Sequence, residues 1–223
     1  MTVFEDRRGN TLTATNGASV ELFQQVLASW LAVRKDVPDL VDRLSDQDPD
    51  MPLVDIFRTH LVHAAANPAT RGPIGPTMDR LRERAADLTA QEQQHLAALE
   101  ATIAGEREQA LQIFEAILVD YPCDILALRL AHLGHFWTGI VENIRESVDR
   151  VLPAWESSDP FSGFVLGLHA YGLQETGHLD QGRRAAEQAL AINPDDIFAA
   201  HANTHVFHGE GDVDGGVAFV EEV

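Results

Sequence analysis

The sequence predicts an all-α protein, a right-handed superhelix of antiparallel helical hairpins, and three observations carry that expectation. Gly105, Glu115 and Pro122 recur as Gly177, Glu187 and Pro194, each 72 residues on, and Gly211 follows Gly177 by 34, so the second half repeats with a period near 36. Periods of that size belong to helical solenoids, in which one hairpin is too thin to bury its own apolar face and must stack on its neighbours. Outside the repeat, Val20, Phe23, Val26, Leu27, Trp30 and Leu31 fall at helical spacing and mark a core-facing stripe. Glycine and proline punctuate these periodic stretches, which is where helix ends are expected.

The composition excludes several classes of function. With 45% hydrophobic and 23% charged residues in 223, the chain has the make-up of a globular protein. Its 35 acidic residues against 16 basic ones give a net charge of −19, a surface that repels nucleic-acid phosphates and anionic membranes. No nucleic-acid or membrane partner is therefore expected. Cys123, the single cysteine, cannot form an internal disulfide. The N-terminus carries acids where a signal peptide needs basic residues followed by an apolar run, and no stretch approaches about 18 uninterrupted apolar residues. A cytoplasmic placement is the expectation.

Residues 4–18 are polar and read as a loop, with turn signals at Gly9-Asn10 and Asn16-Gly17 before Ser19, a good N-cap. A helix starts there. Pro38 marks a short helix through Leu44, residues 45–52 read as an acidic loop, and a helix over 53–66 should stop at Asn67-Pro68. The run Arg71-Gly-Pro-Ile-Gly-Pro76 breaks regular structure and is assigned as a linker. Thr89-Ala-Gln-Glu92 is a capping box, in which hydroxyl and carboxylate each satisfy an orphan amide. These signals divide the chain into an N-terminal helical segment packing on the solenoid (1–70), a linker with a lead-in helix (71–88), and the repeats (89–223), the last of them incomplete.

Within the repeat, Gly177 and Gly211 suit a left-handed helix end, and Ala170, Ala186 and Ala189 let two helices approach closely. Leu173, Leu179, Leu190 and Ile192 should fill the space between, and Pro194 closes the second helix. The stretch 177–194, Gly-His-Leu-Asp-Gln-Gly-Arg-Arg-Ala-Ala-Glu-Gln-Ala-Leu-Ala-Ile-Asn-Pro, resembles the tetratricopeptide repeat. It departs at Gly182, where that motif prefers alanine, and His169 stands in the preceding helix where leucine is preferred.

A narrower resemblance covers most of the chain. The blocks 6–12 (Asp-Arg-Arg-Gly-Asn-Thr-Leu), 150–155 (Arg-Val-Leu-Pro-Ala-Trp), 164–177 and 200–217 are similar to the tetratricopeptide repeat protein 38 family, the last two most specifically. The resemblance implies an all-α repeat fold, cytosolic placement and longer chains with more hairpins. Val223 would fall inside the second helix of a fourth hairpin, so either the chain is a fragment or a partner covers the end, with self-association as one outcome.

Ten histidines include pairs at helical spacing: His60 with His63, His132 with His135, and the trio His201, His205 and His208. In a tetratricopeptide hairpin the first helix lines the concave surface. That register places Phe136, Trp137, Tyr171, Gln174, Glu175, His201, His205 and His208 in one groove. Two functions follow. The first is a scaffold whose groove holds a protein or peptide, with no cofactor. The alternative is a metal-dependent or acid-base enzyme in which His201, His205 and Glu175 hold a divalent metal. The scaffold is preferred, because the His-Glu-x-x-His signature is absent. His60 and His63 have no further ligands near them and are given no metal role, and His132 and His169 are assigned as satisfied core groups. Asp46, Asp48 and Asp50 alternate as in a calcium loop, but Met51 and Phe57 stand where glycine and glutamate are needed. Cys123, beside a helix start, is assigned to packing as well.

Overall fold

The computed structural model describes residues 2–65 and 74–222, and the expected helix stop at Asn67-Pro68 and the first part of the linker, residues 71–73, lie outside them. Among the described residues are two short strands, β1 (Thr2–Glu5) and β2 (Thr11–Ala14), and twelve α-helices. The chain forms two compact units, Met1–Trp30 with Arg34–Ala127, and Leu31–Val33 with Leu128–Val223.

The first unit opens on a correction. Residues 2–14 are an antiparallel β-hairpin, with Val3 opposite Thr13 and Phe4 opposite Leu12, where the sequence suggested a loop. Asp6 builds the turn: its Oδ1 accepts from the amides of Arg8 (2.8 Å) and Asn10 (3.0 Å), while Gly9 takes a φ of +81°. Leu12, Thr13 and Ala14 are all buried, which sinks β2 against the helices on both faces. Helix α1 (Gly17–Leu31) begins two residues before Ser19, with the Asn16 side chain accepting from the Ser19 amide at 3.1 Å. Its apolar stripe is buried as expected except at Trp30, which is half-buried and meets Phe57 edge-on at 5.2 Å.

Helices α2 (Val37–Gln47) and α3 (Pro52–Ala64) both carry proline in the first turn, where no amide is required. Helix α4 (Ile74–Glu83) takes Gly75 and Pro76 into its first turn for the same reason, so the breaker run contributes to a helix start. Helix α5 (Ala90–Ala104) has the predicted capping box. Glu92 does more than cap: fully buried, it also accepts from the Thr13 amide (2.7 Å) and hydroxyl (2.6 Å), which ties β2 to α5. Helix α6 (Arg107–Asp120) completes the first hairpin after Gly105.

Helix α7 (Ile125–Thr138) leads into the second unit, which continues through α8 (Val141–Val151), α9 (Ser162–Glu175), α10 (Leu179–Ile192), α11 (Ile197–Glu210) and α12 (Val213–Glu222). Gly105, Gly139, Gly177 and Gly211 each follow the first helix of a hairpin with φ between +73° and +80°, a left-handed turn that a Cβ would strain. Helices α9 and α10 pack against each other, and α8 and α11 pack on α9. The core between them is made by Ile144, Ala170, Tyr171, Leu173, Ala185, Ala186 and Ala202. Ile192 departs from expectation: it sits at the helix end and is 40% exposed. His169 is half-buried rather than core, bonded to Asp149 at 2.8 Å.

Gly182 explains its own departure from the motif, since a Cβ there would approach the Ala170 carbonyl to 3.3 Å. Gly172 is more demanding, because a Cβ would stand 2.7 Å from the Arg145 Cα, a backbone atom that cannot rotate away. Gly172→Ala should therefore push α8 off α9 and cost roughly 1–3 kcal/mol, despite alanine's better helix propensity. Urea unfolding followed by circular dichroism checks this, and a variant as stable as the wild type contradicts the packing described.

Candidate functional site

The first helices of the second unit's hairpins bring most of the expected groove residues together. On α9, Tyr171, Gln174 and Glu175 share a face because spacings of three and four bring side chains over one another. On α11, His201 and His205 do the same. Phe136 and Trp137, near the end of α7, are 45% and 64% exposed, a pair of aromatic rings left open to solvent. They meet edge-on at 5.2 Å, and Phe136 lies 6.3 Å from the Tyr171 ring. Tyr171 in turn lies 5.8 Å from His201 and 6.0 Å from His205. One unbroken row of rings thus crosses α7, α9 and α11. His208 stands exposed one turn further along α11, with no hydrogen bond or ring contact to this row among the described residues.

Glu175 is the anionic centre of the row. Its Oε1 accepts from Gln174 Nε2 at 2.6 Å and lies 3.7 Å from His205 Nδ1. Burial, then the Glu175 carboxylate and its hydrogen bond, hold the Tyr171 hydroxyl above its ordinary value. His201 and His205 approach Nε2 to Nε2 at 2.8 Å. Partial burial and the neighbouring His205 lower His201 against an opposing pull from Glu175, so His201 is a neutral imidazole at neutral pH. The row can therefore stack a planar or cationic group on its rings and offer it a carboxylate. Among the described residues no group of three or more histidine, cysteine or carboxylate side chains is arranged to hold a metal ion.

Other histidines lie inside the protein. His132 is buried beneath Tyr171, its ring at 5.6 Å, and its Nε2–H donates to the Leu168 carbonyl at 3.3 Å. Burial first, then Arg129, push it down to about 3. His60 packs on Phe114 at 6.0 Å and is likewise pushed down to about 3, by burial and then by His95 and His63. Both are neutral core groups at physiological pH.

A buried polar network in the first unit escaped the sequence reading. Asp124, one residue before α7, accepts from His95 Nε2 at 2.7 Å and from Gln91 Nε2 at 2.6 Å through one oxygen, and caps α7 through the Ala127 amide at 2.8 Å with the other. Burial alone would raise the Asp124 carboxyl, but His95 and the Ala127 and Gln91 donors outweigh it and leave it below its ordinary value. Gln91 also takes the Thr11 amide at 2.7 Å, and Asn10 donates to the Cys123 carbonyl at 3.1 Å, so the network clamps the β-hairpin to α5 and to the start of α7. A cavity of about 30 Å³ beside it, also reached by Asp6 and Arg8, has room for a water or two at about 10–15 Å³ each. The sequence offered one signal, an aspartate just before the apolar run Ile125-Leu126, the pattern of an N-cap.

The fold is that of a tetratricopeptide-type helical repeat protein. Its solved structural neighbours agree. A Podosopora anserina protein described as kinesin light chain, with nearly identical tetratricopeptide-like repeats, aligns over 75% of this chain and 90% of its own at a TM-score of 0.53 and 14% identity. MamA from Desulfovibrio magneticus RS-1, from residue 41 to its end, aligns over 75% and 92% at 0.50 and 13%. A MamA RS-1 double mutant aligns over 75% and 91% at 0.50 and 14%. Identities this low establish the shared fold alone. No protein-family model matches the chain.

Proposed function

We propose that this protein is a binding scaffold, akin to the tetratricopeptide repeat protein 38 family, whose concave groove along α7, α9 and α11 receives a peptide segment of a partner protein. The observation that carries the reading is the solvent-open pair Phe136 and Trp137, continuous through ring contacts with Tyr171 and the His201–His205 pair. Exposed aromatics in a concave surface are the anchors that dominate protein interfaces. A net charge of −19 and the Glu175 carboxylate among the rings favour a segment that carries a lysine or arginine beside an apolar residue. Gln174 orients Glu175, and His208 extends the polar edge of the groove. Among the described residues no helix is long and apolar enough to cross a membrane.

Calorimetric titration with paired peptides tests this. A basic peptide bearing a serine beside its apolar anchor should bind more tightly than the same peptide phosphorylated there, because the added charge meets an acidic surface. Equal or tighter binding of the phosphorylated form overturns the charge argument.

A further inference from the structure

We infer that His201 and His205 form an open two-histidine site for a divalent transition metal that favours square or octahedral coordination, with Glu175 orienting a ligand rather than acting as one. Residues i and i+4 on α11 lie over one another, and here the two Nε2 atoms stand 2.8 Å apart with the rings nearly perpendicular, at 83°. Two imidazoles bound to one metal at about 2.0 Å bring their nitrogens to about 2.8 Å when they subtend a right angle, and to about 3.3 Å in a tetrahedron. The observed separation matches the right angle. Cu²⁺ and Ni²⁺ take that geometry and stand high in the affinity order for nitrogen ligands, whereas a structural zinc site is tetrahedral.

The surroundings fit the role. His205 Nδ1 lies 3.7 Å from the Glu175 carboxylate, so a small shift on metal binding brings that carboxylate onto the far ring N–H, the outer contact that leaves Nε2 free to bind. Gln174 holds Glu175 in place, and the Tyr171 ring packs beside both imidazoles, limiting their rotation. His201 is exposed, so the other coordination positions open toward the groove, where water or a side chain of a bound segment can fill them. Without metal, the same pair is a simple hydrogen bond in which one imidazole donates to the other. The inference does not rest on peptide binding and stands or falls separately.

The test is titration of metal-stripped full-length protein with Cu²⁺, read by electron paramagnetic resonance and by calorimetry with Ni²⁺ and Zn²⁺. One equivalent of Cu²⁺ should show hyperfine coupling to two imidazole nitrogens, and Ni²⁺ should bind more tightly than Zn²⁺. His201→Ala and His205→Ala should each abolish the two-nitrogen signal while leaving helicity and melting temperature unchanged, since both side chains reach solvent. Glu175→Gln should keep the signal but weaken binding by about 10–100-fold. No saturable binding in the wild type, or binding that survives His205→Ala, overturns the assignment. Complete loss of the two-nitrogen signal in Glu175→Gln overturns the orienting role of Glu175.

Discussion

Asp124→Ala is expected to lower the stability of the protein by about 3–5 kcal/mol, because each buried donor left without its acceptor costs about 1–3 kcal/mol. Three groups lose their acceptor at once: His95 Nε2, the Gln91 side-chain amide and the Ala127 amide. His95 is 1% exposed and Gln91 3%, so a water or two drawn into the adjoining cavity is all that can replace what is lost without opening the structure. Asp124→Asn keeps the size and an oxygen for the cap, and should cost less. Urea unfolding of both variants checks the order. If Asp124→Ala costs under about 1 kcal/mol, or Asp124→Asn is the worse of the two, the network does not clamp the hairpin as described.

Acidification is the second large effect. His60 and His132 titrate near 3 when folded and near 6.5 when unfolded, so the folded state disfavours their charged forms. Their contribution is present in full above pH 6.5 and is lost as pH falls toward 3. Between pH 7 and pH 5 each should cost about 2 kcal/mol. Asp196 works the other way: burial raises it to about 6 from 3.8, so its protonated form is favoured in the folded state and acidification to pH 5 returns about 1 kcal/mol. The net loss, about 3 kcal/mol, is a large share of the stability of an ordinary domain. His132→Gln keeps a donor within reach of the Leu168 carbonyl and should remove about 2 kcal/mol of the pH dependence, measured as unfolding free energy at pH 7 and pH 5. An unchanged slope would mean that His132 is not held neutral by its surroundings.

The hairpins were legible because their ends are written in single residues. Gly105, Gly139, Gly177 and Gly211 stop first helices, and Pro194 follows a second one, whatever packs around them. The row of rings was legible for the same reason, since register alone places Phe136, Tyr171 and His201 on the first helices of successive hairpins. The β-hairpin was hidden by its brevity: two strands of four residues, half of them polar, look like a loop unless the period-2 alternation at Thr11-Leu12-Thr13-Ala14 is weighed. Gly75 and Pro76 misled because a helix start tolerates what its interior forbids. The His95–Asp124 pair could not be seen at all, since 29 residues separate partners that only the tertiary fold joins. In the alternative metal-site reading Glu175 was a candidate ligand beside His201 and His205; its carboxylate lies 3.7 Å from His205 Nδ1, a side-chain geometry that spacing does not encode.

The most direct test of the central claim is selection of peptides from a random library on immobilised wild-type protein, with Phe136→Ala and Trp137→Ala as parallel baits. Both rings reach solvent, so their loss should spare the fold. The account predicts enriched segments that pair a lysine or arginine with an apolar or aromatic residue, and binding at least ~30-fold weaker to either variant, the loss of about 2 kcal/mol that marks an interface anchor. Selected peptides that bind all three proteins equally, or that are uniformly acidic, would contradict it.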